Sequence, residues 1–332
     1  MNTAPKFWKT KGLLSTALLP LGCVYSFLST IRTWTNTPYM ASVPVICVGN
    51  ITVGGTGKTP ICMSIAKDLS KAGYKNIYIT SKGYGGDITT PTKVDINTHT
   101  FHNVGDEPLL MAHAFNVVIS KCRRSGIQHA EKLGADIIIM DDGLQNPMVH
   151  KNKTIIVIDA LDGFSNGRIF PSGSLRQNKT SPLNNCDAII ITSPHKNHEI
   201  NMTALGLDAH TNKVYQAHFD IIKKPFEDRQ SVVAFAGIGN PEKFYESVKL
   251  CGYPIRAKAS YPDHYPYTDS DLESLQAMAN KALAKLITTE KDFVRLKPRQ
   301  QKGITPLTIR TKIIPNTLIN ILKGIKIEDI KI

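Results

Sequence analysis

The densest chemistry in the chain lies in Gly49-Asn50-Ile51-Thr52-Val53-Gly54-Gly55-Thr56-Gly57-Lys58-Thr59. Glycines let consecutive backbone N–H groups curl around one point, and a helix N-terminus adds partial positive charge, so this order of residues builds a phosphate cradle, or P-loop. In such a cradle Thr52, Val53, Gly54, Gly55, Thr56, Gly57, Lys58 and Thr59 surround a nucleotide's phosphates. Lys58 reaches the β/γ oxygens and the Thr59 hydroxyl can ligate Mg²⁺. The usual GxxxxGKS/T spacing has glycine where this chain has Thr52. P-loop chemistry also calls for an acid at the end of a buried strand, to hold Mg²⁺ directly or through water. Asp136-Ile137-Ile138-Ile139-Met140-Asp141-Asp142 supplies two. Alone they could simply cap a strand; beside a P-loop they are candidate metal residues.

Between these motifs lies Val104-Gly105-Asp106-Glu107-Pro108, acids in a Gly/Pro turn that leads into a helix. Two readings of Asp106 stand side by side. It could cap the helix, with Pro108 in the first turn, or it could be the carboxylate that accepts a proton from an acceptor hydroxyl. Ser81-Lys82-Gly83-Tyr84-Gly85-Gly86 is either a phosphate-side loop or a plain turn, and Arg123 and Arg176 could meet anionic groups or only solvent. Asp263-His264-Tyr265 sits in a Pro/Tyr-rich loop, and Gly237-Ile238-Gly239-Asn240-Pro241 closes a strand where an open α/β sheet takes ligands, or where it merely turns. No NKxD guanine-reading motif occurs.

The elements that must hold these residues are legible as rhythm. VPVICV, NIYIT, DIIIM, TIIVID and DAIIIT are short Ile/Val runs of the kind found in parallel strands buried on both faces, with helical stretches at 58–72 and 107–116 between strands. This predicts a doubly wound α/β P-loop domain over 41–224. KKPFEDRQ at 223–230 breaks the rhythm, and VVAFAG with a helix from Pro241 to Cys251 opens a smaller α/β domain over 225–332. Residues 12–31 are uncharged and bracketed by bases, yet Pro20, Gly22 and five Ser or Thr make a poor spanning helix. The expectation for 1–40 is a membrane-associated helix with its lysines on anionic headgroups.

The 332 residues are 42% hydrophobic and 20% charged, a globular balance. Six scattered cysteines form no CxxC pair, which signals neither zinc nor disulfides and suits a reducing, cytoplasmic setting. Net charge is +13, of which residues 1–42 and 285–332 supply 11, so the motif-bearing middle is nearly balanced. That distribution fits an anionic lipid surface or phosphorylated substrate better than a nucleic-acid groove.

In order, VGNITVGGTGKTP, SKGYGG, VGDEP, DDGLQ, FPSGSLR, GIGNP, YPDHY and TEKD resemble the successive motifs of the tetraacyldisaccharide 4'-kinase family, from the N-terminal segment to about Leu296. The resemblance implies ATP-dependent phosphorylation of the 4'-hydroxyl of a tetraacylated glucosamine disaccharide 1-phosphate, giving lipid IVA in lipid A biosynthesis at the cytoplasmic face of the bacterial inner membrane. It implies ATP and Mg²⁺ as cofactors, no nucleic acid and no obligate protein partner. By position it makes Lys58 and Thr59 the P-loop nucleotide and metal residues, Asp141 and Asp142 the acids after the strand, and Asp106 the proposed base. His264 is implied as its partner, Glu107 lies near the metal, and Arg123 and Arg176 lie near transferred or substrate phosphate. The chain departs from the family where Asn146 stands for a common His, where Gly173-Ser174-Leu175-Arg176-Gln177 stands for GPLRE, and where DHY stands for DHH. Two rivals are a membrane-associated P-loop ATPase coupled to a protein partner, and a nucleic-acid ATPase using Lys291, Arg295, Lys297 and Arg299.

Overall fold

The computed structural model describes residues 5–34, 37–193, 198–221, 225–227 and 229–313. Two N-terminal helices, α1 (Leu13–Ala17) and α2 (Leu19–Trp34), precede β1 (Val45–Gly49) and α3 (Lys58–Lys71). Next come β2 (Ile77–Ser81), β3 (Thr92–Lys93), α4 (Phe101–Val104), α5 (Asp106–Ala112), β4 (Asn116–Ile119), α6 (Arg123–Lys132), β5 (Ile137–Asp141) and β6 (Lys153–Asp159). They are followed by α7 (Thr180–Asn185), β7 (Ala188–Ser193), α8 (Met202–Leu205), β8 (Val214–Ile221), β9 (Val232–Ala236) and α9 (Pro241–Leu250). The last described elements are β10 (Ile255–Ser260), α10 (Asp269–Lys281), β11 (Lys285–Thr289), α11 (Glu290–Phe293), β12 (Ile304–Leu307) and β13 (Ile309–Ile313).

Among the described residues two sheets form, a large one ordered β13-β8-β7-β6-β1-β5-β2-β4-β3 and a small one ordered β10-β9-β11-β12. The large sheet is parallel from β8 through β4 and antiparallel only in its outermost pairs. β1, β2, β5 and β7 are buried at every position, so their sequences show unbroken apolar runs instead of alternation. Helix α3 lays Ile61, Ile65 and Leu69, spaced four apart, into the core over β1 and β2. From β1 the chain winds first to one side (β2, β4, with β5 inserted) and then to the other (β6, β7, β8). The segment after β1 therefore sits at the switch point where open α/β sheets bind ligands.

The expected α/β architecture is present, and the strand order shows where its last described strand goes. The segment expected to close a second unit at 225–332 does not stay with the small sheet: β13 pairs antiparallel with β8, Ile309 opposite Ile221, and covers the open edge of the large sheet. The interrupting stretch falls partly on 222–224 and 228, and the end of that unit on 314–332, outside the described residues, as are 1–4 and 35–36 of the N-terminal segment.

The N-terminal segment is helical but divided. No helix among the described residues is long and apolar enough to cross a membrane. Leu13, Phe27 and Leu28 are 93%, 66% and 60% exposed, while Ser15 is fully buried. Ser15 Oγ donates to Ser172 O at 2.8 Å and accepts from Asn166 Nδ2 at 3.0 Å and Arg168 Nη1 at 2.9 Å. Trp8 Nε1 donates to Pro171 O at 3.0 Å. One face is thus fastened to the 166–172 loop and the other is apolar and open.

Candidate active site

The P-loop hangs on β1 of the large sheet and is braced by a neighbouring loop. It leaves β1, turns through Gly54 (φ 125°) and Gly57 (φ 84°), and enters α3 at Lys58. Those two angles lie in the left-handed region that favours glycine. Thr52 needs no glycine: it forms an extended bridge to Leu175, and the adjoining Val53 N–H donates to Ser174 O at 2.7 Å. The residues that depart from the common motif are braced from outside by the FPSGSLR segment, whose Arg176 N–H donates to Ile51 O at 2.7 Å.

Register brings the strand-end acids beside this loop, since Val48 of β1 pairs with Asp141 of β5. Asp142 stands in the left-handed region (φ 52°), with Lys58 Nζ 3.6 Å from Oδ1 and Arg176 Nη1 3.0 Å from both oxygens. Burial works against its charge, but Lys58 and Arg176 outweigh it and hold the carboxyl below its usual range. Asp141 differs: burial, reinforced by the Glu107 charge, pushes it up to about 6. Its carboxylate carries the Cys62 Sγ contact at 3.6 Å.

The third group comes from a turn that only glycine permits. Gly105 (φ 86°) lies so close to the SKGYGG loop that a Cβ there would sit 2.4 Å from Tyr84 O. SKGYGG therefore buttresses the turn that presents Asp106. Gly105 occupies the helix N-cap position, and Asp106 Oδ1 accepts the Glu107 N–H at 2.8 Å. Asp106 Oδ2 faces the small-sheet unit, 2.9 Å from His264 Nδ1 and 2.9 Å from its donor Arg295 Nε, with Arg295 Nη2 donating as well. Glu107 pairs with Lys291. Burial favours protonated Asp106, but the His264 hydrogen bond and the Arg295 charge hold its carboxyl well below the usual range. Lys291 does the same for Glu107, and the Asp106 hydrogen bond raises His264.

His264 is itself held in the left-handed region (φ 61°), its N–H donating to Gly237 O at 3.1 Å. GIGNP thus serves as a backbone seat: a Cβ on Gly237 would meet Tyr267 Oη at 3.0 Å and Asp292 Oδ1 at 3.1 Å. The two halves of the site adjoin, because Glu107 lies near enough to Lys58 and Asp141 for their charges to bear on one another.

Arg123 is placed differently from a cation presented to phosphate. It is buried, and its guanidinium braces strand ends by donating to Thr80 O at 3.3 Å, Asp142 O at 3.0 Å and Asp141 O. Lys291 and Arg295, read in sequence only as part of a basic tail, face carboxylates of the large-sheet unit, and Arg299 pairs with Asp269 at 2.7 Å. The four-residue spacing of Lys291, within TEKD, and Arg295 was the available signal, since it is the spacing of one helical turn, although α11 itself ends at Phe293.

A doubly wound sheet with a P-loop at its switch point, flanked by strand-end acids and a cross-unit Asp–His pair, defines a P-loop phosphotransferase. Residues 14–325 match the family model for Tetraacyldisaccharide-1-P 4'-kinase, LpxK. The chain belongs to that family and is a kinase of lipid A biosynthesis. It is 39% identical over 310 residues to the tetraacyldisaccharide 4'-kinase of Paramagnetospirillum magneticum, covering 92% of this chain and 93% of that one. It is 38% identical over 291 residues to the Rickettsia africae tetraacyldisaccharide 4'-kinase, 88% of each chain. Among solved structures it is similar to LpxK from Aquifex aeolicus, an "apo" form in complex with ATP, with TM-score 0.75, 26% identity and coverage of 94% of this chain and 98% of that one.

Proposed function

We propose that the chain transfers the γ-phosphate of ATP to the 4'-hydroxyl of a tetraacylated glucosamine disaccharide 1-phosphate, forming lipid IVA. The observation that carries this reading is the adjacency of two acids with different partners. Glu107 lies within electrostatic reach of Lys58 and Asp141, and Asp106 turns to His264. A nucleotide cradle and a proton acceptor thereby meet at one peptide bond.

Residues 52–59 receive the phosphates, whose charge Lys58 neutralises, and Arg176 steadies Asp142 beside them. The donor set fits Mg²⁺: Thr59, Asp141, Asp142 and Glu107 offer only hard oxygens, and the buried Asp141 carboxyl, pushed up by burial and the Glu107 charge, is one whose ionised form a divalent cation would favour. Bound there, Mg²⁺ would supply positive charge to offset the negative charge that develops during transfer. Asp106 accepts the hydroxyl proton while His264 orients it and shares the charge. Most of the rate enhancement then comes from positioning and fixed charge. Arg123 supports the site from below by holding the carbonyls of Asp141 and Asp142.

The exposed apolar face of α1 and α2, with Lys6, Lys9 and Lys11 nearby, suits a segment lying in the headgroup layer at the cytoplasmic face of the inner membrane. Acyl chains then stay in lipid while the sugar reaches the cleft. Transfer of label from γ-labelled ATP to the disaccharide 1-phosphate in detergent micelles, wild type against Lys58→Ala, tests the reading. Labelled lipid only with wild type supports it. ATP hydrolysis with unlabelled lipid would instead favour the partner-coupled ATPase.

A further inference from the structure

One buried cation has no part in the mechanism so far. The Arg295 side chain is 0% exposed. Besides its contacts to Asp106 Oδ2, its Nη1 donates to Gly237 O at 2.7 Å and to Asp292 Oδ1 at 2.8 Å. Asp292 is fixed in turn by Gly237 N–H at 3.0 Å, Tyr267 Oη at 2.9 Å and Thr289 Oγ1 at 2.6 Å. A planar guanidinium anchored on one edge presents the other edge in a set direction, so the carboxylate that meets it is aligned to it.

The consequence falls unequally on the two oxygens of Asp106. Oδ2 faces three donor atoms, two from Arg295 and one from His264, whereas Oδ1 has the Glu107 N–H among the described residues. The oxygen with spare lone-pair capacity is the one able to take a hydroxyl proton. We propose that Arg295 is a positioning residue, reaching from the small-sheet unit to hold Asp106 by Oδ2 and to present Oδ1 to the acceptor hydroxyl. This rests on the reading that Asp106 faces that hydroxyl.

The test is transfer kinetics in micelles on the full chain, with Arg295→Ala, Arg295→Lys and their unfolding midpoints. In Arg295→Ala, kcat falls about 100-fold, the scale expected when a catalytic group is misplaced. KM for ATP stays within about twofold, because the nucleotide half is untouched. Guanidinium ion, added well below denaturing concentrations, restores about a tenth of the lost rate by refilling the vacated site. Arg295→Lys keeps the charge without the planar fork and falls between the two, insensitive to guanidinium. Wild-type kcat in Arg295→Lys overturns the positioning role. So does a loss in a normally melting Arg295→Ala that guanidinium leaves unchanged, and if Arg295→Ala does not fold, Arg295→Lys decides alone. If wild type labels no lipid, the kinase reading fails and takes this proposal with it; labelled lipid with indifferent Arg295 variants removes this proposal only.

Discussion

The nucleotide half and the acceptor half of the site are built by different means. The P-loop and its acids hang on neighbouring parallel strands, β1 and β5, and the backbone does most of the work through two left-handed glycines and a helix N-terminus. The acceptor half is assembled from side chains across the seam between two sheets: His264 and Arg295 reach Asp106 over 158 and 189 residues. A backbone cradle of this kind draws its shape mainly from the strand and helix it joins, with one loop bracing its rim. Side-chain clusters across a seam exist only while the two units are together, so this half is where substrate closure can be coupled to proton transfer.

Breaking each half should give different signatures. The largest effect is expected for Lys58→Ala: transfer falls by roughly 10³-fold or more, and a labelled-lipid assay within tenfold of wild type would take the P-loop lysine out of the phosphate cradle. Asp106→Asn should lower transfer by roughly 10²- to 10⁴-fold while fluorescent-nucleotide titration shows binding retained. Lost nucleotide affinity would mean that the two halves are one.

The pH dependence of stability sharpens the contrast. His264 is raised above 6.5 by its Asp106 partner, so its contribution is complete below pH 6.5 and fades as pH climbs through the raised value. Asp106 is depressed from 3.8, so its share is present above pH 3.8 and is lost on acidification towards its lowered value. The difference in unfolding midpoint between wild type and Asp106→Asn should therefore be widest between those limits and narrow on the alkaline side. A gap that stays constant to high pH would show that the imidazolium adds nothing. The smallest effect is expected for Thr52→Gly, about 1 kcal/mol less stable from loss of an extended, bridged residue. Nucleotide affinity should be unaltered, because glycine keeps the same backbone N–H, as calorimetry would show; weakened binding would give the Thr52 side chain a direct part in the cradle.

The same contrast explains what was legible in the sequence. Contiguous motifs and buried parallel strands leave local marks, so β1, β2, β5, β6, β7 and α3 lie close to where Ile/Val runs and glycines put them. Strands that bury one face or sit at an edge leave weaker ones: β10 alternates half-buried and exposed residues, and β3 has two residues. The return of β13 to the large sheet is invisible locally because it depends on β8 having an open edge. Asp106 and His264 came together in sequence only through a family resemblance, and the spacing of Lys291 and Arg295 could suggest a shared helix face but not the acids opposite. The burial of Arg123 under Asp141 and Asp142 had no sequence mark at all.

The fastening at Ser15 has a practical bearing on how this enzyme should be handled. Asn166, Arg168 and Ser172 all close on that one hydroxyl or its backbone, and a few residues further along the same loop Leu175 and Arg176 brace the P-loop. Cutting away the first forty residues to obtain a detergent-free protein would leave those polar groups without their partner and loosen the wall of the nucleotide site. Solubility and catalysis would then change together, and neither could be assigned to the membrane. Recolouring the outer face instead, with Leu13, Phe27 and Leu28 replaced by polar residues and Ser15 kept, separates adhesion from architecture.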